Sequence, residues 1–173
     1  MYIIVAVLVI VIIVAGAAAY ILMGNGGGGT SATPTPAPTT APTVVGASSL
    51  QFIVQETTSG GSPVTYNFAV KNFNASNEMI RIDIPGGSAG NYSYIIKLAD
   101  STSFLSIDNG ATWTASSFGT DASFATSLNN YVTELANWNG HDATFTYTAG
   151  QITNVISALH VNPDLSDSLF ATS

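Results

Sequence analysis

Residues 1–23 are MYIIVAVLVIVIIVAGAAAYILM, a stretch without any charged side chain and without Asn, Gln, Ser or Thr. Eleven of these residues are Val or Ile, and five are Ala. As a helix with a rise of about 1.5 Å per residue, the stretch would extend for roughly 33 Å, which is enough to cross the hydrocarbon core of a membrane. Because no side of this helix would suit water, we expect lipid or other apolar helices around it.

Basic residues are missing from the whole N-terminal part of the chain, and the first one is Lys71. Secretory signals and signal anchors need Lys or Arg before their apolar run, because these charges set the orientation in the membrane. We therefore expect residue 1 to lie at or near the place where a processing peptidase removed a basic leader.

The apolar segment ends in Ala15-Gly16-Ala17-Ala18-Ala19-Tyr20, and glycines follow from Gly24 onward. This N-terminus resembles that of archaeal type IV pilins and archaellins, whose apolar helices leave the membrane and bundle into the core of an extracellular filament. Bacterial type IV pilins carry Glu where this chain has Val5, so the archaeal branch fits better. The resemblance implies a homo-oligomeric helical filament, whereas the simpler alternative is a membrane anchor. Small residues allow close helix approach, and the positions expected to assemble the core are Val5, Val9, Ile12, Ala15, Gly16 and Ala19.

Composition limits the classes of function. The 173 residues carry a formal net charge of -7, with 3 basic and 10 acidic side chains. Three basic residues cannot form the patch that tracks nucleic-acid phosphates, and the chain is equally unsuited to an anionic membrane surface. The chain has no cysteine, so disulfides, thiolate chemistry and Cys-based metal sites are excluded. A surface rich in Ser, Thr, Asn and Gly but poor in Lys and Glu suits an extracellular location.

A linker follows at residues 24–48, and its two parts differ in composition. Gly24 and residues 26–29 favour the end of a helix and then offer no helical preference. Pro alternates with Thr or Ala over residues 33–43, which predicts an extended spacer without a core of its own. Its threonines are candidate acceptors for O-linked glycans. The linker serves either as a plain tether or as the passage from a filament core to its outer layer.

The remaining residues, 49–173, are predicted to form one extracellular head domain. Apolar residues alternate with polar ones over residues 64–71 and 80–84, which is typical of half-buried strands. Asn109-Gly110 indicates a hairpin turn. We predict five or six antiparallel strands, one helix and two further strands, with Leu169 and Phe170 tucked against the sheet. The predicted class for the whole chain is α+β: a long apolar N-terminal helix, a Gly/Thr-Pro linker, and a curved antiparallel sheet with one packing helix.

One amphipathic helix is predicted inside the head. Its start is predicted at a cap formed by Thr120 or Asp121, and its end at Asn139-Gly140. The apolar stripe at helical spacing consists of Phe124, Leu128, Tyr131, Val132, Leu135 and Trp138.

The order of a strand meander, one helix, and two strands with a Pro-Asp…Leu-Phe tail also resembles the LolA/LppX-type lipoprotein-carrier fold. That resemblance implies a concave sheet that holds lipid, so the alternative function is a membrane-anchored surface protein that binds a hydrophobic ligand. The helix stripe, however, is broad enough to close this face, and we expect no sizeable empty pocket beneath it. Trp138 is the residue expected to fill that space.

Residues for catalysis or metal binding do not assemble into a recognisable motif. His141 and His160 are nineteen residues apart and lack the spacing of a metal pair, even with Asp142 beside the first. No nucleophile-elbow sequence surrounds any serine. We predict no enzyme activity, no cofactor and no metal. Two sequons are candidates for N-glycosylation, at Asn74 and Asn91. The predicted function is a pilin-like structural subunit with a role in surface adhesion.

Overall fold

The structure is a computed structural model that describes residues 43–87, 90–138 and 142–172. Its strands are β1 (Ser49–Thr58), β2 (Val64–Lys71), β3 (Met79–Gly87), β4 (Gly90–Lys97), β5 (Thr102–Ser106), β6 (Thr114–Ala115), β7 (Thr144–Ala149) and β8 (Ile152–Val161). Its helices are the short α1 (Phe118–Asp121) and the longer α2 (Ser123–Leu135), and a 3-10 turn spans Asp167–Phe170.

All eight strands belong to one antiparallel sheet with the order β6-β5-β4-β3-β2-β1-β8-β7. The strands β1 to β6 follow one another as a meander, whereas β8 pairs with β1 from far along the chain, with Leu50 opposite Val161. This pairing is irregular between Gln51 and Ile53, where Ala158 adopts a φ of 51°. The bulge lets β8 continue along β1, which consequently lies inside the sheet with a partner on each side.

The face that α2 covers, here called the helix face, holds the main core. Phe52, Phe68, Ile80 and Ile82 point to this face from successive strands and are at most 2% exposed. Alternation along each strand brings these side chains to the same side, because the side-chain period of a strand is two residues. Leu128 and the neighbouring apolar side chains of α2 close the core from above.

The opposite face, here called the tail face, is covered by the residues that follow β8. Leu165 and Phe170 are buried against Ala69 of β2, with Met79 and Leu169 packed around them. Ala69 alternates with the helix-face residue Phe68, so the sheet carries a second, smaller core on its other side. The predicted position of Leu169 and Phe170 against the sheet is confirmed.

The predicted α+β class is wrong. The described chain is a mainly β domain built on one eight-stranded sheet, and its helical segment, residues 118–135, is a single layer over one face. Local patterns identified strands before and after the helix but not the β1–β8 pairing that unites them. Within the part of the chain that the structure describes, no helix is both long enough and apolar enough to cross a membrane. The segment 1–23 and the linker up to residue 42 lie outside the described residues.

The predictions for the amphipathic helix have mixed outcomes. Its apolar stripe is confirmed, because Leu128, Tyr131 and Leu135 are buried and the other members pack against the same core. The predicted start is wrong, since helical structure begins at Phe118, before either proposed capping residue. No side-chain cap bond is present at the start of α1 or α2. Packing of the stripe on the sheet therefore positions this helix.

The start and the end of the head are joined by hydrogen bonds. The side-chain oxygen Oδ1 of Asn162 accepts hydrogen bonds from the backbone N–H groups of Ser48, at 2.7 Å, and Ser49, at 3.4 Å. The hydroxyl of Ser49 donates to the carbonyl of Pro163 at 2.8 Å. Val44 is buried in the main core at 3% exposure, so the cooperative unit includes residues before the predicted start at 49.

Candidate functional site

A polar cleft opens on the helix face between α2 and the sheet, with a volume of about 340 Å³. Glu56 of β1 lies opposite Asn154 of β8, and Asn154 lies opposite Tyr147 of β7, so three polar residues form a row across neighbouring strands. Tyr131 and Glu134 of α2 face this row. We call this site the acidic cleft, defined by Glu56, Tyr131, Glu134, Tyr147 and Asn154.

The carboxylate of Glu56 organises the inner wall of the acidic cleft. The phenol of Tyr131 donates a hydrogen bond to Oε1 of Glu56 at 2.6 Å. Burial raises the pKa of Tyr66, and the negative charge of Glu56 raises it further. The Tyr131 ring in turn contacts Phe52 and Phe68 at ring-centroid distances of 6.4 and 5.6 Å. The polar site is thus built directly on the aromatic part of the core.

The tyrosines of the cleft hold their protons unusually tightly. Burial, followed by the charges of Glu134 and Glu56, raises the pKa of Tyr147 to about 12. Burial, followed by the hydrogen bond to Glu56, raises the pKa of Tyr131 well above its ordinary value. A phenolate there would stand next to a carboxylate in a poorly hydrated place, which is electrostatically unfavourable. These phenols are therefore neutral donors and not bases at physiological pH.

We predict that the head loses stability as the pH rises above about 10. The unfolded chain releases its tyrosine protons near pH 10, whereas folded Tyr147 keeps its proton up to a pKa of about 12. Each proton kept only by the folded chain lowers the free energy of unfolding by at most about 1.4 kcal/mol per pH unit. Tyr147 is partly exposed, so solvent screening makes its contribution to this slope smaller. Urea unfolding at several alkaline pH values measures this slope. Tyr147→Phe should flatten it, and an unchanged slope in that variant would contradict the assignment.

The tail face holds all three basic residues of the chain, and each has a partner there. Nζ of Lys71 donates to the carbonyl of Leu165 at 2.8 Å and pairs with Asp167. Arg81 binds Asp83, donates to the carbonyl of Leu169 at 3.0 Å and lies over the Trp113 ring. Lys97 lies over the ring of Phe104 at 5.7 Å. The positive charges therefore hold the tail and the loops in place.

A smaller gap lies deeper between α2 and the sheet, beside Trp138, Phe145 and Ile156. Its volume is about 10 Å³, roughly the space of one water molecule and far less than a lipid chain requires. Trp138 packs against the main core, as expected from its place in the stripe. The helix therefore lies close on the sheet at this point.

The residues predicted as sites are not brought together. The assembly residues Val5 to Ala19 and His141 lie outside the described residues. His160 is exposed on the tail face, and no group of three or more His, Asp or Glu residues suited to a metal ion occurs in the described ranges.

Asn74 and Asn91 are both exposed, and Oδ1 of Asn91 accepts a hydrogen bond from the N–H of Gly86 at 2.8 Å. Glycosylation at either position stays a prediction.

Sequence reasoning did not identify the acidic cleft. Glu56 lies two residues before the end of β1, which continues to Thr58. One signal was present: Glu56 continues the buried series at positions 50, 52 and 54, and so points to the helix face. The other was Asn154, a polar residue in a strand otherwise rich in Ile and Val.

Comparisons with protein families, with characterised proteins and with solved structures gave no match to this chain. The resemblances to archaeal pilins and to lipoprotein carriers consequently stay predictions from the sequence.

Proposed function

We propose that this chain is the structural subunit of an extracellular, type IV pilus-like filament. The apolar N-terminal segments associate in its interior, and the heads form its outer layer, where they contact surfaces. The observation that carries the proposal is the uncharged segment of residues 1–23, joined through a Gly and Thr-Pro linker to an independent head. A segment with no polar side chain needs apolar surroundings, and copies of itself provide them once the chain leaves the membrane.

The head has the properties that an outer layer needs. Its sheet is covered on one face by α2 and on the other by the tail, so both cores are formed by the chain itself. Of the large apolar side chains that the structure describes, those left exposed are scattered: Val45, Val64, Ile107 and Ile152. Such single exposed residues are usual on a soluble domain. Glycans at Asn74 and Asn91 would add to this hydrated surface.

The alternative is a membrane-anchored surface protein that carries a hydrophobic ligand. A carrier of that kind needs an open apolar cavity on the concave side of its sheet. The space of about 10 Å³ beside Trp138 counts against such a cavity, and the larger acidic cleft is lined by carboxylates and polar groups. The filament proposal is therefore favoured over the carrier.

The N-terminal segment is predicted to be required for assembly. A chain that starts at Thr40 keeps Val44 and the rest of the head, and should be a folded, soluble monomer. In the full chain, Val9→Asp should abolish filaments, because each subunit would bury a carboxylate at a cost of several kcal/mol. Negative-stain microscopy and sedimentation measure assembly.

Val45→Asp is the matched control, since Val45 is 73% exposed and its replacement meets water. This variant should assemble like the unmodified chain. Filaments formed by the truncated chain, or a normal yield from Val9→Asp, would contradict the proposal.

A further inference from the structure

The amide of Asn154 is the feature of the acidic cleft that the fold does not explain. Asn154 is 3% exposed, and its oxygen Oδ1 is a buried atom without a hydrogen-bond partner. Leaving a buried polar atom unpaired costs about 1–3 kcal/mol, so native structures rarely keep one unless another group satisfies it. Asn154 lines the cleft. Rotation of the amide about χ2 would turn this oxygen toward the cleft, where an incoming donor can bind it.

The charges around Asn154 define which donor fits. Glu56 and Glu134 both line the cleft, while its other lining residues are uncharged. The three basic residues of the chain all lie on the tail face, where they bind other groups. Glu56 already accepts the hydrogen bond of Tyr131. The cleft thus presents negative charge and free acceptor positions to an incoming group, which favours a cation with several N–H donors.

We propose that the acidic cleft binds a small organic ammonium ion. The ammonium group donates to Oδ1 of Asn154 and to the carboxylate of Glu134, and its carbon chain lies along Tyr147 and Ile152. A volume of about 340 Å³ suits a ligand of a few carbon atoms. The aromatic ring of Tyr147 adds an attraction between its face and the cation.

Two other ligand classes fit the cleft less well. Calcium usually takes six to eight oxygen ligands, including several carboxylates, and the described residues contain no group of three acidic or histidine side chains that would hold a metal. A neutral sugar would leave the two carboxylates without a counter-charge. The inference is independent of filament assembly, because the site lies wholly within the head.

Isothermal titration calorimetry of the full chain in detergent, at neutral pH and low salt, tests the proposal with the diamine putrescine. We expect saturable binding at one site per chain. Glu134→Gln removes one charge without changing the shape of the side chain, and Asn154→Leu removes the amide oxygen. Each should weaken binding about tenfold or more, because each removes a direct partner of the ammonium group.

The controls separate a site from diffuse attraction to an acidic protein. Asp100→Asn changes the net charge by the same amount as Glu134→Gln, at an exposed position outside the cleft, and should leave the affinity unchanged. The diol with the same carbon chain as putrescine should not bind. Circular dichroism verifies that each variant is folded, and Glu134→Gln, at a partly exposed position, remains informative if Asn154→Leu unfolds the head.

Three outcomes would overturn the proposal. Equal weakening by Asp100→Asn and Glu134→Gln would show non-specific attraction. Equal binding of the diol would show that the positive charge is not recognised. Binding of calcium ions more tightly than putrescine, with the same loss in Glu134→Gln, would assign the cleft to a divalent cation.

Discussion

Replacement of Phe68 by Ala is expected to lower the free energy of unfolding of the head by about 3–5 kcal/mol. Phe68 is 2% exposed, and its ring stacks on Phe52 with a centroid distance of 5.2 Å and an interplanar angle of 11°. Tyr131 meets the same ring edge-on at 5.6 Å. Because the sheet and α2 fix these neighbours, they cannot move in to fill the space, and the cavity cost adds to the lost burial.

Urea unfolding of residues 40–173 measures this loss. Ile107→Ala is the control, since it also shortens a large apolar side chain, but one that is 71% exposed. A change of at most about 0.5 kcal/mol is expected there. If Phe68→Ala cost less than about 1 kcal/mol, the ring could not be part of a close-packed core.

Replacement of Phe170 by Ala is expected to lower the free energy of unfolding by about 3 kcal/mol. Phe170 is 1% exposed and anchors the tail on Ala69, in the small core of the tail face. Two carbonyls of the tail also accept hydrogen bonds from Lys71 and Arg81. Loss of the ring should therefore release the last residues while the helix-face core stays formed.

Limited proteolysis combined with urea unfolding measures both parts of this effect. Phe170→Ala should expose the chain after Asn162 to cleavage before the rest of the head is cut. Asp164→Asn, at an exposed position of the same tail, should behave like the unmodified chain. A tail that stays protected in Phe170→Ala would show that the two basic side chains hold it without the ring.

Local structure was the predictable part of this fold. The alternation over residues 64–71 and the stripe of α2 each follow from a repeat that the chain displays directly. The pairing of Leu50 with Val161 has no such local signal, because it joins residues more than a hundred positions apart. The class assignment failed at this point: the pairing turns two groups of strands into one sheet.

The acidic cleft was hidden for a related reason. Glu56, Tyr147 and Asn154 come from three strands, and only their register makes them neighbours. By their spacing, Tyr131 and Tyr147 belong to apolar faces, and their rings suit such a place. A sequence does not show whether the hydroxyl of a tyrosine lies beside a carboxylate. Glu56 in the buried series of β1 and Asn154 in the apolar β8 were the two residues that pointed to a site.

The place of β1 in the sheet determines how the head bears a mechanical load. The chain enters the head through Val44, which is buried in the main core, and then forms β1, which pairs with β2 on one side and β8 on the other. Tension applied at the start of the head therefore acts on a strand held by two hydrogen-bonded ladders, after the packing of Val44 and the bonds of Asn162 to Ser48 and Ser49. An edge strand in the same position would be held by a single ladder. The head is thus attached through an internal strand, the part of the sheet best able to resist drag on its tether.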